Sequence, residues 1–200
     1  MAIPLEEVLD RAFGHPRGLL GRIGAAVMER GNGPTESKVV EVAKPGEDET
    51  VLVVGPGPGV GLGLAAARAR RTIGVDPSEE MLRRCRRRCA AAIEAGIVEL
   101  RAGTAESTGQ EPDSVDVVLS VNNLALWSDR TAVLAELSRV LRPGGRLVLS
   151  AHEKWLPVSR HELVGELEAA EFTDVQSWTW DPPGRTASRA VQLRAVRPRS

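Results

Sequence analysis

Apolar residues along this chain recur with two alternating periods, and each change of period marks a boundary between strand and helix. Val51-Leu-Val-Val54 is a continuous apolar run with three β-branched residues, the character of a short strand buried on both faces. Arg71-Thr-Ile-Gly-Val-Asp76, Ile97-Val-Glu-Leu-Arg101, Val117-Val-Leu-Ser120 and Arg146-Leu-Val-Leu-Ser150 supply four more strands. Helical spacing separates them. It runs through Leu62, Leu64 and Ala65–Ala67, then from Pro77 to about Glu94, then over Thr131–Leu141, which Arg142-Pro-Gly-Gly145 stops. Residues 3–43 predict two or three helices ahead of the first strand, the last beginning at Pro34 and carrying Val39, Val40 and Val42. Past the fifth strand, Ser159–Glu171 reads as helix. Phe172–Trp180 and Ser188–Val196 then alternate as a hairpin around Asp181-Pro-Pro-Gly-Arg185. Strand and helix in alternation predict an α/β fold, and the handedness of parallel crossovers makes it doubly wound.

Composition narrows this picture. Two hundred residues suit a single domain over 1–200 with a well-formed core. A net charge of −1 gives no general attraction to nucleic acid or membrane. No apolar run approaches the roughly 18 residues of a spanning helix. The start, MAIPLEEVLDRAF, is amphipathic and acidic rather than a secretory leader, so a cytoplasmic protein is expected. Cys85 and Cys89 are four apart on a helix, with no third ligand for a metal; packed thiols are expected. The helix that holds them carries five arginines, Arg83, Arg84, Arg86, Arg87 and Arg88. Glu79, Glu80 and Glu94 flank the run and no aromatic residue interleaves it, so a solvated face is expected in place of an RNA surface.

The chemistry concentrates after the first strand, in Gly55-Pro-Gly-Pro-Gly-Val-Gly-Leu-Gly63. Glycines remove side chains where the backbone must turn and meet a ligand, and the helix that follows would direct N–H groups into the turn. A dinucleotide fingerprint needs G-x-G-x-x-G. Counted from Gly55 its third glycine falls on Val60, and from Gly57 on Leu62. The one fit, Gly61-x-Gly63-x-x-Ala66, lies too deep in the helix. Asp76 ends the second strand about twenty residues later, where a carboxylate can accept hydrogen bonds from both ribose hydroxyls or cap the helix that follows.

The spacing Gly55-x-Gly57-x-Gly59 resembles motif I of class I S-adenosylmethionine-dependent methyltransferases, and Leu-Arg-Pro-Gly-Gly-Arg-Leu147 resembles a downstream element of the same family. Residues 50–150 carry the resemblance. It implies a seven-stranded, mostly parallel sheet in the order 3-2-1-4-5-7-6 with the last strand antiparallel, and S-adenosylmethionine as cofactor. It further implies that residues 1–45 cap the substrate site and residues 151–200 close the sheet. The cofactor would meet Gly55, Pro56, Gly57 and Gly59, then Asp76, Pro77 and Met81. Beyond the third strand it would meet Gly103, Thr104 and Ala105, and beyond the fourth Ser120 and Asn122. Two departures stand out. Thr104 replaces the family's acid in the loop after the third strand, and Val53 replaces the acid two residues before the first glycine that helps to hold the cofactor's ammonium group.

A hairpin tail leaves no inserted substrate domain, so a small acceptor is expected, handled by a monomer or homodimer. The sulfonium already makes the methyl group electrophilic, so placement and water exclusion come first. His152, two residues past the fifth strand, is the candidate base for an acceptor that must lose a proton. Asn123, Trp127 and Trp155 are candidates for the acceptor wall, and His15 and Arg17 can reach it from the N-terminal loop or merely pack there. The alternative to an enzyme is a methyltransferase-like protein that binds cofactor weakly and serves as a partner or regulator.

Overall fold

The computed structural model describes residues 33–183 and 188–199; His15 and Arg17 lie outside them. Helix α1 (33–43) leads into β1 (Thr50–Val54), α2 (Val60–Ala66), β2 (Arg71–Asp76), α3 (Glu79–Arg88), α4 (Ala90–Glu94) and β3 (Val98–Ala102). After β4 (Val115–Val121) come α5 (Arg130–Val140), β5 (Leu141–His152), α6 (Arg160–Ala169), β6 (Thr173–Trp180) and β7 (Ala190–Val196). The seven strands form one sheet in the order 3-2-1-4-5-7-6. β1 to β5 are parallel, and β7 lies antiparallel between β5 and β6, as the resemblance implies.

Alternation along the central strands builds a core on each face. Val51 and Val53 face α1 and α2 through Val39, Val40, Leu62 and Ala65, with Val117, Leu119 and Val148 beside them. Leu52 and Val54 point the other way, into a cluster with Leu134 and Leu137 of α5 and Leu163 and Leu167 of α6. Both faces of β1 are therefore buried, which explains its unbroken apolar run.

Three boundaries differ from the sequence reading. The helix expected from Pro77 to Glu94 is two helices that meet at Cys89, where the backbone leaves helical geometry (φ −102°, ψ 20°). The reason is packing. Cys85 donates its thiol to Gly57 O at 3.3 Å and Cys89 Sγ lies 4.0 Å from Gly59 O, so both thiols follow the glycine turn. β5 begins at Leu141 instead of Arg146: Leu141 pairs with Val115 before Arg142–Gly145 bulge out and pairing resumes at Val117 and Arg146. β4 likewise starts two residues early, at Val115. In the expected hairpin, Trp180 pairs with Ala190, while residues 184–187 of its turn lie outside the described set.

The arginine face is solvated, as expected: Arg83 and Arg84 pair with Glu80, and Arg86 with Glu79. Among the described residues no helix is long and apolar enough to cross a membrane, and no cluster of potential metal ligands occurs.

One ion pair holds α1 to the sheet. Arg146 of β5 donates twice to Glu49, at 2.7 Å each, and also to Lys44 O (2.9 Å) and Ala43 O. Arg146 lowers the pKa of Glu49, against a smaller opposing effect of burial. The pair's contribution is therefore present above the carboxylate's ordinary range and lost as pH falls through its lowered value. Replacing Arg146 with Ala should cost about 2 kcal/mol in urea denaturation at neutral pH. A loss below about 0.5 kcal/mol would show that α1 is anchored by its apolar stripe alone.

Candidate active site

The loops that follow β1 to β5 all open at the carboxyl edge of the sheet, where the strand order reverses between β1 and β4. Together they line a cavity of about 530 Å³. Gly55, Pro56 and Gly57 come from the first loop, Asp76, Pro77 and Met81 from the second, and Thr104 and Ala105 from the third. Asn122, Asn123 and Trp127 follow β4, and His152 and Trp155 follow β5. Every one of these is a residue singled out from the sequence.

The glycine turn is shaped by positive φ at Gly55 (63°), Gly57 (52°) and Gly59 (87°). Gly55 N–H donates to Val75 O at 2.9 Å, and Gly59 N–H to Pro56 O at 2.9 Å. The side chain of Asn123 locks the turn from β4, its Nδ2 lying 3.1 Å from Val54 O, 3.2 Å from Gly55 O and 2.9 Å from Ser120 Oγ. Asn123 thus stands on the cavity wall with its amide nitrogen committed to the protein's own carbonyls and to Ser120 Oγ, so it positions the turn.

Gly59, Gly103 and Ser120, expected at the cofactor, are not part of the cavity wall. Gly59 faces Cys85. Gly103 is packed between Val75 and the Ser107 carbonyl, so the third loop meets the cavity through Thr104 and Ala105. Buried Ser120 donates to Val54 O at 2.9 Å behind the turn.

At the end of β2, Asp76 is only 6% exposed and accepts the Ser78 N–H at 2.8 Å through Oδ1. That bond fixes the carboxylate on the wall and opens α3, whose own cap is Ser78. Asp76 therefore braces the residue that caps α3 without being the cap itself, and its carboxylate stands on the cavity wall. Asn122 sits at φ 61°, a conformation asparagine tolerates. Its Oδ1 accepts the backbone N–H of His152 at 3.0 Å, tying β4 to β5. Its Nδ2 is buried and has no hydrogen-bond partner among the described residues.

His152 is half-buried, and its Nδ1 lies 3.1 Å from Ser188 Oγ and 3.4 Å from Ser188 O. Burial lowers its pKa from the ordinary histidine value, Lys154 adds to this, and the Ser188 carbonyl opposes it. Trp127 is buried against both the cavity and the core, whereas Trp155 is 37% exposed at the mouth, with Lys154 Nζ 5.5 Å from its ring centre. Cys85, whose thiol burial pushes up to about 12, is inert behind the turn.

Sequence reasoning missed one buried group on the wall, Glu36 of α1. Its carboxylate accepts the N–H of Gly61. The first turn of α2 therefore does not offer all its N–H groups to a ligand, as the sequence reading supposed. A signal existed: Glu36 shares helical spacing with Val39, Val40 and Ala43, an acid on an apolar stripe.

A cavity at a sheet's reversal point, floored by a glycine turn with an acid at the end of the next strand, defines a nucleotide-type cofactor site. Residues 52–149 match the Methyltransferase domain family. The chain is 36% identical over 128 residues to the uncharacterized methyltransferase Rv3342 of Mycobacterium tuberculosis, a match covering 63% of this chain and 50% of that protein. It is 28% identical over 109 residues to the uncharacterized methyltransferase YdaC of Bacillus subtilis, covering 51% and 58%. Phosphoethanolamine N-methyltransferase 2 of Haemonchus contortus, solved with S-adenosyl-L-methionine, superposes with a TM-score of 0.77 at 16% identity, over 98% of this chain and 60% of that one. That likeness concerns the fold. Residues 52–149 thus match a methyltransferase domain, and the chain spans about half the length of the curated relatives it matches.

Proposed function

We propose that the protein transfers the methyl group of S-adenosylmethionine to a small-molecule acceptor. The observation that carries this reading is the convergence of the loops after β1 to β5 on one cavity of about 530 Å³, a size that suits a small-molecule ligand. The residues present fit the cofactor. Asp76 supplies an ordered carboxylate at the ribose position, the glycine turn brings bare backbone to the wall, and buried Asn122 Nδ2 offers a donor. Asp76, Pro77 and Met81 would hold the adenosine end, and Gly55, Gly57 and Asn122 the amino-acid end.

When bound, the cofactor supplies an electrophilic methyl group on sulfur. The chain's own residues then orient the acceptor and exclude water. Trp155 and Leu126, both exposed on the cavity wall, form an apolar rim for the acceptor. With Nδ1 protonated, His152 donates to the oxygens of Ser188 and its Nε2 is the basic nitrogen, ready to take a proton from an acceptor hydroxyl or ammonium.

Calorimetric titration with S-adenosylmethionine and S-adenosylhomocysteine, with NAD as control, tests the cofactor assignment. Micromolar binding of the first two alone supports it and justifies an acceptor screen. Silence for all three in folded protein would favour the non-catalytic binding protein. The base has its own test. His152→Gln should leave cofactor affinity unchanged and slow turnover by about 10²-fold or more. The wild-type kcat/KM should rise with pH through an inflection lower than that of an ordinary histidine, because burial lowers the pKa of His152. Full activity in the variant would leave positioning alone as the mechanism.

A further inference from the structure

We propose that Glu36 is the carboxylate that holds the α-ammonium group of the cofactor's methionine moiety, a role that rests on the methyltransferase reading of this cavity. S-adenosylmethionine carries an ammonium as well as a sulfonium, and a cation moved from water into a cavity needs an anionic partner. Three carboxylates line the cavity among the described residues: Glu36, Asp76 and Glu106. Asp76 is held at the end of β2 by Ser78, and Glu106 follows β3, so both stand on the side of the sheet assigned to adenosine. Glu36 alone stands on the other side. Its helix packs through Val39 and Val40 against Val53 of β1 and Leu119 of β4, the two strands that flank the reversal point.

Its surroundings are built for a carboxylate. Glu36 is 7% exposed, rare for glutamate without polar partners, and its Oε2 is oriented by the Gly61 N–H. Gly61 has no place in the glycine spacing of the turn, yet a Cβ there would lie 3.0 Å from Glu36 Oε2. Glycine at 61 leaves room for the acid. Val53, which stands where related sequences place an acid, lines the same cavity. A carboxylate absent from β1 is thus supplied from α1, and the affinity deficit that Val53 alone would imply disappears.

The test pairs one change in the protein with one in the ligand. S-adenosylhomocysteine is compared with its deamino analogue, which keeps the carboxylate and lacks only the amino group, on wild-type protein and on Glu36→Gln. Glutamine keeps an oxygen for the Gly61 N–H, so a purely structural cap is preserved. The wild type should prefer the amino compound by roughly tenfold or more, and the variant by less than about threefold, with binding of the deamino analogue nearly unchanged. Glu36→Asp, which keeps the charge but withdraws it by one methylene, should give an intermediate preference and serves if the glutamine variant is poorly folded. Equal discrimination by wild type and variant would overturn the assignment of Glu36 while leaving the cofactor reading intact. A folded wild type that binds neither compound would overturn both.

Discussion

Asp76→Ala should weaken S-adenosylmethionine binding by between about tenfold and a hundredfold, the largest single effect on affinity expected in this chain. A hydrogen bond to a charged acceptor contributes about 1.5–3 kcal/mol, so this range corresponds to the net loss of one of the two bonds that the ribose hydroxyls can make to the carboxylate. Asp76 is suited to receive them because it is buried and its orientation is fixed by the Ser78 N–H. Alanine removes that bond too, so Asp76→Asn is the necessary companion: it keeps an oxygen for Ser78 and loses only charge and one acceptor. If both variants bind like wild type by calorimetry, Asp76 serves only to order Ser78 at the start of α3 and the ribose lies elsewhere.

The largest effect on stability should come from Gly55→Ala, with a loss of about 3 kcal/mol or more. Two costs combine. A φ of 63° strains any residue with a Cβ, at about 1 kcal/mol. The added Cβ would also lie 2.5 Å from the Asn123 amide, which must leave its bonds to Val54 O, Gly55 O and Ser120 Oγ. For a domain of this size the loss corresponds to a fall in Tm of about 6–12 °C. A cycle with Asn123→Gly separates the costs. The double variant should lose clearly less than the sum of the singles, because the clash disappears with the side chain. Strict additivity would mean that the turn shifts to accommodate the methyl group without help from Asn123.

Most of the fold was legible because its signals are local. Arg71–Asp76 coincides with β2 residue for residue, and the apolar run of β1 needed no tertiary context. The cavity wall was legible for the same reason: strand ends are where ligands meet such sheets, and most of the residues picked out there line the cavity. What stayed hidden depends on contacts between distant segments. Nothing near Asn123 shows that its amide closes on a turn 68 residues earlier. Glu36 and Gly61 are 25 residues apart, and each looks ordinary until the other is beside it. The division of the α3–α4 segment at Cys89 follows from thiols packing on carbonyls about 30 residues away, which periodicity does not record.

The antiparallel insertion of β7 sets an order of events during synthesis. A ribosome emits chains at about 5–20 residues per second, and β7 is the latest of the seven strands to emerge. Until it does, β5 has a bare edge and β6 has no neighbour to pair with, since β7 bridges both. Ser188, the partner of His152 Nδ1, arrives with it. The nascent protein can therefore pair β1 to β4 first, while the β5 side of the cavity waits for the closing strand. Premature termination ahead of residue 188 would leave the edge of β5 bare and β6 unpaired, and would take Ser188 away from His152.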